Sequence, residues 1–408
     1  MKLLRLLLCI PALLCVAFMR AVWPWWKIRV THLPSSRIGH LAGNMAVYLA
    51  ERAAGKHAGY TDLWTHHGEV SNAYFGRMLG RVLRIDRTRF ALLVILCNKL
   101  FQGWQRHIYI GEDIDRDPDN LIEKSPAPLA FTEAEEARGQ AQLRAWGLPP
   151  GAKFVCLIVR DGAYLGEGGE YHDFRDSDID TYAQAVHELT QRGYYVFRMG
   201  ARVAKPMEIP DVREYDRRVF DYATSGMRSD FMDVYLGAHC EFCISNGTGF
   251  DAIPVLFRRP VCYVNYAPIE YLFTFLPRSL AIFKHYEKDG RRMTLEEIYA
   301  TESSMALHAA QYQAEGIKLV DNTAQEIANV VREMEMRVSG SAAHRDWYPL
   351  AQAAFWQQFP RSLSPYTQRP LHGEIRMRIG AEFLKQYTCT CGEHIYTPCA
   401  VHGELVTV

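Results

Sequence analysis

Five small residues, Ser245-Asn246-Gly247-Thr248-Gly249, form the stretch best suited to binding a ligand. They follow a short apolar run (240–244) and precede an apolar helical pattern (250–257), which predicts a strand, a tight turn and a helix. Amide groups at the start of a helix lack partners within the helix and lie at the positive end of its dipole. With two hydroxyls beside them and glycines that admit a ligand, the turn predicts an anion site suited to a pyrophosphate. An ordinary capped turn is the alternative.

Two other apolar runs also end in polar residues. Lys153 to Val159 is followed by Arg160-Asp161, and Tyr194 to Phe197 is followed by Arg198-Met199-Gly200. Continuous apolar runs are typical of central strands in a parallel sheet, and ligands bind such sheets beyond the carboxyl ends of the strands. We therefore expect these residues and the turn at 245–249 to lie along one edge of one sheet, around a ligand crevice.

An earlier segment has the same order of strand, loop and helix. Ile28 to Thr31 predicts a strand, and a helix follows from Ala42 to about Ala53. In the loop, Gly39 would permit close approach to the backbone, and His40 would face the crevice from the start of the helix. Because the pKa of histidine lies near neutrality, His40 is a candidate general base, with capping or packing as the alternative.

Length and composition predict two α/β domains. The chain has 408 residues, and its 46 basic and 46 acidic residues give a formal net charge of zero, so no global charge favours nucleic acid. The predicted order is a hydrophobic segment (1–27), a Rossmann-like domain (28–128), a linker helix (129–151), a second Rossmann-like domain (152–337), and C-terminal helices with a tail (338–408).

The first segment is almost wholly apolar from Leu3 to Met19, and the cluster Trp23-Pro24-Trp25-Trp26-Lys27 follows it. The apolar run is shorter than the roughly 20 residues of a spanning helix, and tryptophan with lysine is typical of a membrane interface. We expect a peripheral or N-terminally anchored protein at the cytoplasmic face of the inner membrane. A cleaved signal peptide and a buried N-terminal helix are the alternatives.

The sequence predicts no metal requirement. The ten cysteines suggest no disulfide framework, and the two candidate D-x-D pairs, Asp113/Asp115 and Asp178/Asp180, lie in a linker and at a helix start. One further group could supply zinc ligands near the C-terminus: Cys389, Cys391, His394, Cys399 and His402.

Several motifs together resemble a family of bacterial glycosyltransferases found among genes for surface polysaccharide. They extend over about residues 20–386 and comprise Arg37-Ile38-Gly39-His40-Leu41 with Asn44, Val159-Arg160-Asp161, His172-Asp173-Phe174-Arg175, the run from Tyr194 to Gly200, the run from Arg228 to Asp233, His372-Gly373, and Arg378-Ile379-Gly380. The resemblance implies a GT-B-like fold, in which two Rossmann-like domains face each other across a cleft. It also implies transfer of a sugar from a nucleotide-sugar donor, bound by the second domain, to an acceptor hydroxyl of a surface polysaccharide, glycolipid or related molecule, without a metal cofactor.

The second domain is also distantly similar to the donor domain of fucosyltransferase-like enzymes. That similarity implies that Arg160 neutralises the diphosphate and that the turn cradles it, although Ile158 replaces a histidine of that pattern. The candidate catalytic residues are Arg160 and, as bases, His40 and Asp161. The candidate substrate-binding residues are Gly39, Asn44, His172, Arg175, Arg198, Gly200, Asp230, Ser245, Asn246, Gly247, Thr248 and Gly249. A nucleotide-sugar epimerase or a non-catalytic membrane-associated scaffold on the same fold remains an alternative.

Overall fold

The computed structural model describes residues 2–109, 115–163, 170–207, 216–341, 349–365 and 368–387; for 2–8, 170–172 and 216 it describes the backbone only. The chain forms two α/β units, each built on a parallel sheet, with a cleft between them. This arrangement confirms the predicted fold class. The exact domain boundaries stay predictions.

The first unit contains a three-stranded parallel sheet in the order β1-β2-β3. Its elements are α1 (Lys2–Val22), β1 (Lys27–Leu33), α2 (Ile38–Ala53), β2 (Tyr60–His66), α3 (Ala73–Leu79), β3 (Arg84–Asp86), α4 (Phe90–Asn98) and α5 (Leu121–Lys124). A connecting helix, α6 (Glu133–Ala145), begins with the predicted capping box of Thr132 and Glu135. The strand and helix predicted around Gly39 are β1 and α2.

The second unit contains a larger parallel sheet, flanked by helices and extended by a small antiparallel sheet. Its elements are β4 (Phe154–Ile158), α7 (Ala183–Gln191), β5 (Tyr195–Met199), β6 (Val219–Phe220), α8 (Asp230–His239), β7 (Cys243–Ser245), α9 (Ala252–Leu256), β8 (Val261–Tyr266), β9 (Leu280–Phe283), β10 (His285–Lys288), β11 (Arg291–Arg292), α10 (Leu295–Tyr299), α11 (Ala309–Ala314), β12 (Lys318–Val320), α12 (Ala324–Ser339), α13 (Pro349–Gln358), β13 (Arg378–Ile379) and α14 (Ala381–Lys385). The antiparallel sheet has the order β11-β10-β12.

The large sheet has the order β13-β9-β8-β7-β4-β5-β6, and all neighbouring pairs are parallel. β4 lies between β5 and β7, so that Ile158 is level with Met199 on one side and with Ser245 on the other. The three polar strand ends predicted from the sequence therefore lie side by side at one edge. The buried positions of β4, β7 and β8 explain their continuous apolar sequences.

Close contacts join the two units next to the cleft. A Cβ built on Gly39 would lie 2.7 Å from the Cα of Gly249, so α2 and the turn after β7 approach each other backbone to backbone. A second joint lies between α3 and α8, where the Asp230 carboxylate accepts the Ala73 amide at 2.7 Å and Asn72 donates to the Asp230 carbonyl at 2.9 Å. One hydrophobic core also continues from α2 through the large sheet.

The N-terminal helix α1 lies against α4. Ala12, Val16 and Met19 are buried in a small cluster with residues of α4 and β1, while Leu14 and Phe18 on the other face are exposed. Among the described residues, none of the helices combines the length and the apolar character needed to cross a membrane.

Candidate functional site

The cleft between the two units has a volume of about 420 Å³. The first turn of α2 forms one wall, and the carboxyl ends of β4, β5 and β7 form the other. Nine of the sequence-predicted site residues line it, namely Gly39, His40, Arg160, Asp161, Arg175, Gly200, Gly247, Thr248 and Gly249. The structure thus brings residues from both units and from three strand ends into one place.

The turn after β7 is ordered from within by Ser245. The Ser245 hydroxyl is fully buried, donates to Asp251 at 2.8 Å, and accepts the amides of Gly247 and Thr248 at 3.1 and 3.3 Å. Gly247 has a φ of +81°, which favours glycine. Ser245 was predicted to touch the substrate, but its hydrogen bonds place it behind the turn, where it shapes the cradle.

Asp251 is a buried carboxyl group beneath this cradle and was not predicted from the sequence. Burial raises its pKa to about 7, and the hydrogen bonds from Ser245 and Thr248 only partly offset that effect. The carboxyl group is therefore poised between its neutral and charged forms at physiological pH. An aspartate six residues after a strand end carries no local signal that distinguishes it from a solvent-exposed one.

Arg160 lies at the end of β4 with its guanidinium next to Asp176, at 3.2 Å from Nε to Oδ1. Asn246 fixes the backbone there, since its side chain accepts the Arg160 amide at 2.9 Å and donates to the Arg175 carbonyl at 2.9 Å. Asn246 is only 1% exposed. Asn246 was predicted to bind substrate. In the structure its side chain joins the backbone of Arg160 to the backbone of Arg175.

Four residues of the cleft wall have a buried polar atom without a hydrogen-bond partner in the described part of the chain: Ser71, Arg175, Thr248 and Tyr263. Two of these atoms, Oγ1 of Thr248 and Nε of Arg175, lie on the wall formed by the second unit. A buried donor or acceptor without a partner costs about 1–3 kcal/mol, so such atoms mark positions where a ligand would complete the hydrogen bonding. Both atoms belong to residues that were predicted to bind substrate.

Asp161 and Arg198 form a buried polar link beside β4 and β5. The Asp161 carboxylate accepts the amides of Ala163 and Ala204 at 3.1 and 2.7 Å and lies 3.9 Å from Arg198. Arg198 is fully buried and pairs with Asp221 at 3.2 Å. Arg198 does not line the cleft, and its ion pair supports the strand ends. Its contact with substrate stays a prediction.

Three further predicted residues have other surroundings. Asn44 is buried within α2, outside the cleft lining. Asp230 joins the two units as described above, because the first residue of α8 faces the start of α3. The side chain of His172 lies outside the described residues.

Sequence reasoning missed part of the cleft wall. Arg228, held at 2.7 Å by Asp233, lines it together with Arg37. An aromatic surface formed by β8 and the segment after it also lines the cleft. That surface is formed by Tyr263, Tyr266, Tyr271 and Phe273. The hydroxyl of Tyr263 is buried and has no partner in the part of the chain that the structure describes. Arg228 and Asp233 belong to a recognised motif, whereas the aromatic residues resemble ordinary strand and loop residues.

The structure describes only some of the candidate metal ligands. Asp178 and Asp180 both bind Lys205, at 2.7 and 2.5 Å, and within the described ranges no group of three or more His, Cys, Asp or Glu could hold an ion. The cysteine- and histidine-rich segment from Cys389 to His402 lies outside the described residues. The expectation of a metal-independent reaction stays a prediction.

No protein-family model matches the chain, and no curated protein matches it in sequence. Among solved structures it is similar to the ADP-heptose LPS heptosyltransferase II of E. coli, with 15% identity over 78% of this chain and 100% of that one, and a TM-score of 0.44. It is similar to a glycosyl transferase family 9 protein of Veillonella parvula, with 10% identity, 63% and 86% coverage, and a TM-score of 0.39. It is also similar to E. coli heptosyltransferase WaaC with ADP, with 11% identity, 77% and 100% coverage, and a TM-score of 0.36.

Proposed function

We propose that the protein is a glycosyltransferase that moves a sugar from a nucleotide-sugar donor to a hydroxyl of a surface polysaccharide, glycolipid or related acceptor. The proposal is carried by the Thr248 hydroxyl and an Arg175 guanidinium nitrogen, which are buried and find no partner among the described residues, in a cleft that Arg160 also lines. A diphosphate oxygen matches this set of donors in charge and in hydrogen bonding. The family resemblance of the motifs supports the same assignment.

The leaving diphosphate needs positive charge that is already in place when the glycosidic bond breaks. Arg160 and Arg175 supply two guanidinium groups from the β4 side of the cleft, and the 16-residue helix α2 directs its positive end toward it from the first unit. The Asp176 carboxylate contacts Arg160 at its Nε and orients the guanidinium group in the cleft wall. The chain's own residues thus stabilise the developing charge.

The acceptor hydroxyl must lose a proton, and His40 is the better placed base of the two candidates. It is half-buried in the first turn of α2, on the wall that faces the diphosphate side. Asp161, by contrast, already accepts two backbone amides and lies beside Arg198. An acceptor bound against α2 would present its hydroxyl to the imidazole.

Donor binding is tested by calorimetry and thermal shift with UDP, GDP, CMP, ADP and dTDP. We expect one nucleotide to stabilise the full chain, and Arg160→Ala to lose at least about 2 kcal/mol of transition-state stabilisation in turnover because charge-assisted bonds to phosphate disappear. Arg291→Ala is the matched control, since Arg291 is 61% exposed and pairs with Glu297 outside the cleft. Near wild-type turnover in Arg160→Ala would reject this role.

Product analysis separates the alternatives. Sugar transferred only when an acceptor is present supports the proposal, whereas an altered nucleotide sugar formed without acceptor indicates an epimerase. A folded protein that binds none of the nucleotides would indicate a non-catalytic scaffold. The fucosyltransferase-like relation of the donor half stays a prediction.

A further inference from the structure

The outer face of the α1–α4 pair is an apolar surface that nothing in the described chain covers. On α1, Ile10, Leu14 and Phe18 are 59%, 66% and 52% exposed, and their spacing of four residues places them in one row. On α4 and just after it, Leu96 and Leu100 are 60% and 76% exposed. Isolated exposed leucines are common, but a row on each of two packed helices forms a contiguous patch, which marks an interaction surface.

The two rows belong to one surface because the helices are joined along their length. Ala12, Val16 and Met19 of α1 are buried against α4 and β1, so the opposite side of α1 must face outward. At the C-terminal end of α1, Arg20 donates to the Gln102 carbonyl at 2.6 Å and lies over the Phe101 ring at 5.3 Å. The row of α1 therefore continues into the residues that follow α4.

Aromatic residues stand at one end of this surface. Trp25 is 86% exposed and Trp26 is 48% exposed, and the Trp26 ring contacts Phe18 at a centroid distance of 6.3 Å. A tryptophan exposed to this degree in water is unfavourable, whereas at a membrane interface its ring lies among headgroups and acyl chains.

Charge distinguishes a lipid surface from other occupants. No acidic residue occurs in residues 1–50 or 87–111, which together contain both helices, although the whole chain has equal numbers of acidic and basic residues. The same stretches contain Lys27 and Lys99, each near an aromatic ring, and Arg20 and Arg106. Asp86 accepts the Ala91 amide at the start of α4, but the two stretches that form the helices contain basic and no acidic residues. This charge complements an anionic headgroup layer and does not complement a second copy of itself.

We infer that α1 and α4 together form a monotopic platform for an anionic lipid bilayer. The apolar rows lie at the level of the upper acyl chains, and the basic residues and tryptophans lie among the headgroups. The sequence suggested membrane contact for the first segment alone; the structure adds α4 as the second half of the platform. This inference does not depend on the proposed enzymatic function.

The test measures binding of the full chain to vesicles of phosphatidylcholine, with or without about 30% phosphatidylglycerol. We expect binding that needs the anionic lipid and weakens in about 0.5 M salt. Leu14→Gln/Leu100→Gln should lower vesicle affinity about ten-fold or more, because two apolar side chains no longer leave water. The matched control is Leu350→Gln/Leu363→Gln, which alters two leucines 72% and 50% exposed elsewhere and should leave binding unchanged.

A second pair of variants tests the charge. Lys27→Gln/Lys99→Gln should reduce the preference for phosphatidylglycerol by up to about 30-fold, which corresponds to about one kcal/mol per lysine, whereas Lys288→Gln/Lys318→Gln should not. All four variants change exposed side chains, so circular dichroism and thermal unfolding should match the wild type. Vesicle binding that is insensitive to the leucine variant would overturn the inference. So would absence of binding together with self-association that Leu14→Gln/Leu100→Gln abolishes.

Discussion

At the scale of single residues, the cleft wall combines groups that a ligand would meet with groups that only shape it. Thr248, Arg175 and Arg160 line the cleft with hydrogen-bond donors. Ser245 and Asn246 instead form their hydrogen bonds with protein groups of the turn and the strand ends. The two kinds should respond differently to substitution. Loss of a donor should reduce ligand affinity, and loss of a shaping residue should reduce stability as well.

If His40 is the general base that we propose, His40→Gln should lower turnover about 100-fold, because general-base catalysis contributes roughly 10²–10⁴-fold. Donor affinity should be retained, because the proposed diphosphate contacts lie on the other wall. Single-turnover rates and nucleotide binding, measured on the same preparation, separate the two effects. A weaker affinity for donor with unchanged turnover at saturation would instead assign His40 to binding.

Asp251 predicts a pH dependence of stability. Because burial raises its pKa to about 7 in the folded state, the folded protein holds a proton that the unfolded chain has lost above about pH 4. The contribution of this group to stability is complete below pH 4 and declines as the pH rises through 7. Between pH 5 and pH 8 the free energy of unfolding of the wild type should fall by about 2 kcal/mol because Asp251 loses its proton. The free energy of unfolding of Asp251→Asn should not show this fall.

Urea unfolding at the two pH values measures this difference, and Asp173→Asn, at an exposed position, is the control. An equal difference at both pH values would show that Asp251 does not change its protonation state in the folded protein between pH 5 and pH 8, which would contradict the prediction. The same titration predicts that diphosphate binding is accompanied by proton uptake, since a neutral Asp251 removes a negative charge from beneath the cradle.

At the scale of elements, α1 is an integral part of the first unit and not only an appendage. Val16 is 1% exposed against α4, whereas Leu14, two residues earlier on the same helix, is 66% exposed. Val16→Asp should lower the free energy of unfolding by about 3 kcal/mol, because a charge enters an apolar contact, and Leu14→Asp should change it by less than about 0.5 kcal/mol. Chemical denaturation in detergent-free buffer compares the pair. Equal stability of both variants would mean that α1 does not pack on α4 in solution.

At the scale of the whole molecule, the two units meet where the backbones of α2 and the β7 turn touch. Gly39→Ala would place a Cβ 2.7 Å from the Gly249 Cα, and backbone cannot yield as a side chain can. We expect a loss of about 2 kcal/mol in stability and a weaker affinity for donor, because the cleft walls move apart. Gly43→Ala is the control on the same helix, since its Cβ would meet Ala252 at an ordinary 3.7 Å and alanine favours a helix by up to about 1 kcal/mol. Equal effects of the two substitutions would contradict a specific joint at Gly39.

The sequence predicts the α/β fold and the edge of the sheet that lines the cleft. Apolar runs such as the one at β4 are local signals, and parallel pairing necessarily brings the carboxyl ends of β4, β5 and β7 together. It did not determine which polar residues at that edge face the cleft. The reason is that their hydrogen-bond partners are distant in sequence. The Arg160 amide donates to the side chain of Asn246, 86 residues away, and the Ala73 amide donates to the Asp230 carboxylate, 157 residues away.

Glycine shows the same limit. In the sequence, Gly39 and Gly249 both appear as residues that let a ligand approach the backbone. The folded chain shows that the two glycines allow close backbone contact with each other. Local spacing encodes helices, strands and turns, because these depend on neighbouring residues. The partner of a polar side chain or of a glycine surface depends on the packing of segments that are distant in sequence, so it can be read only from the folded chain.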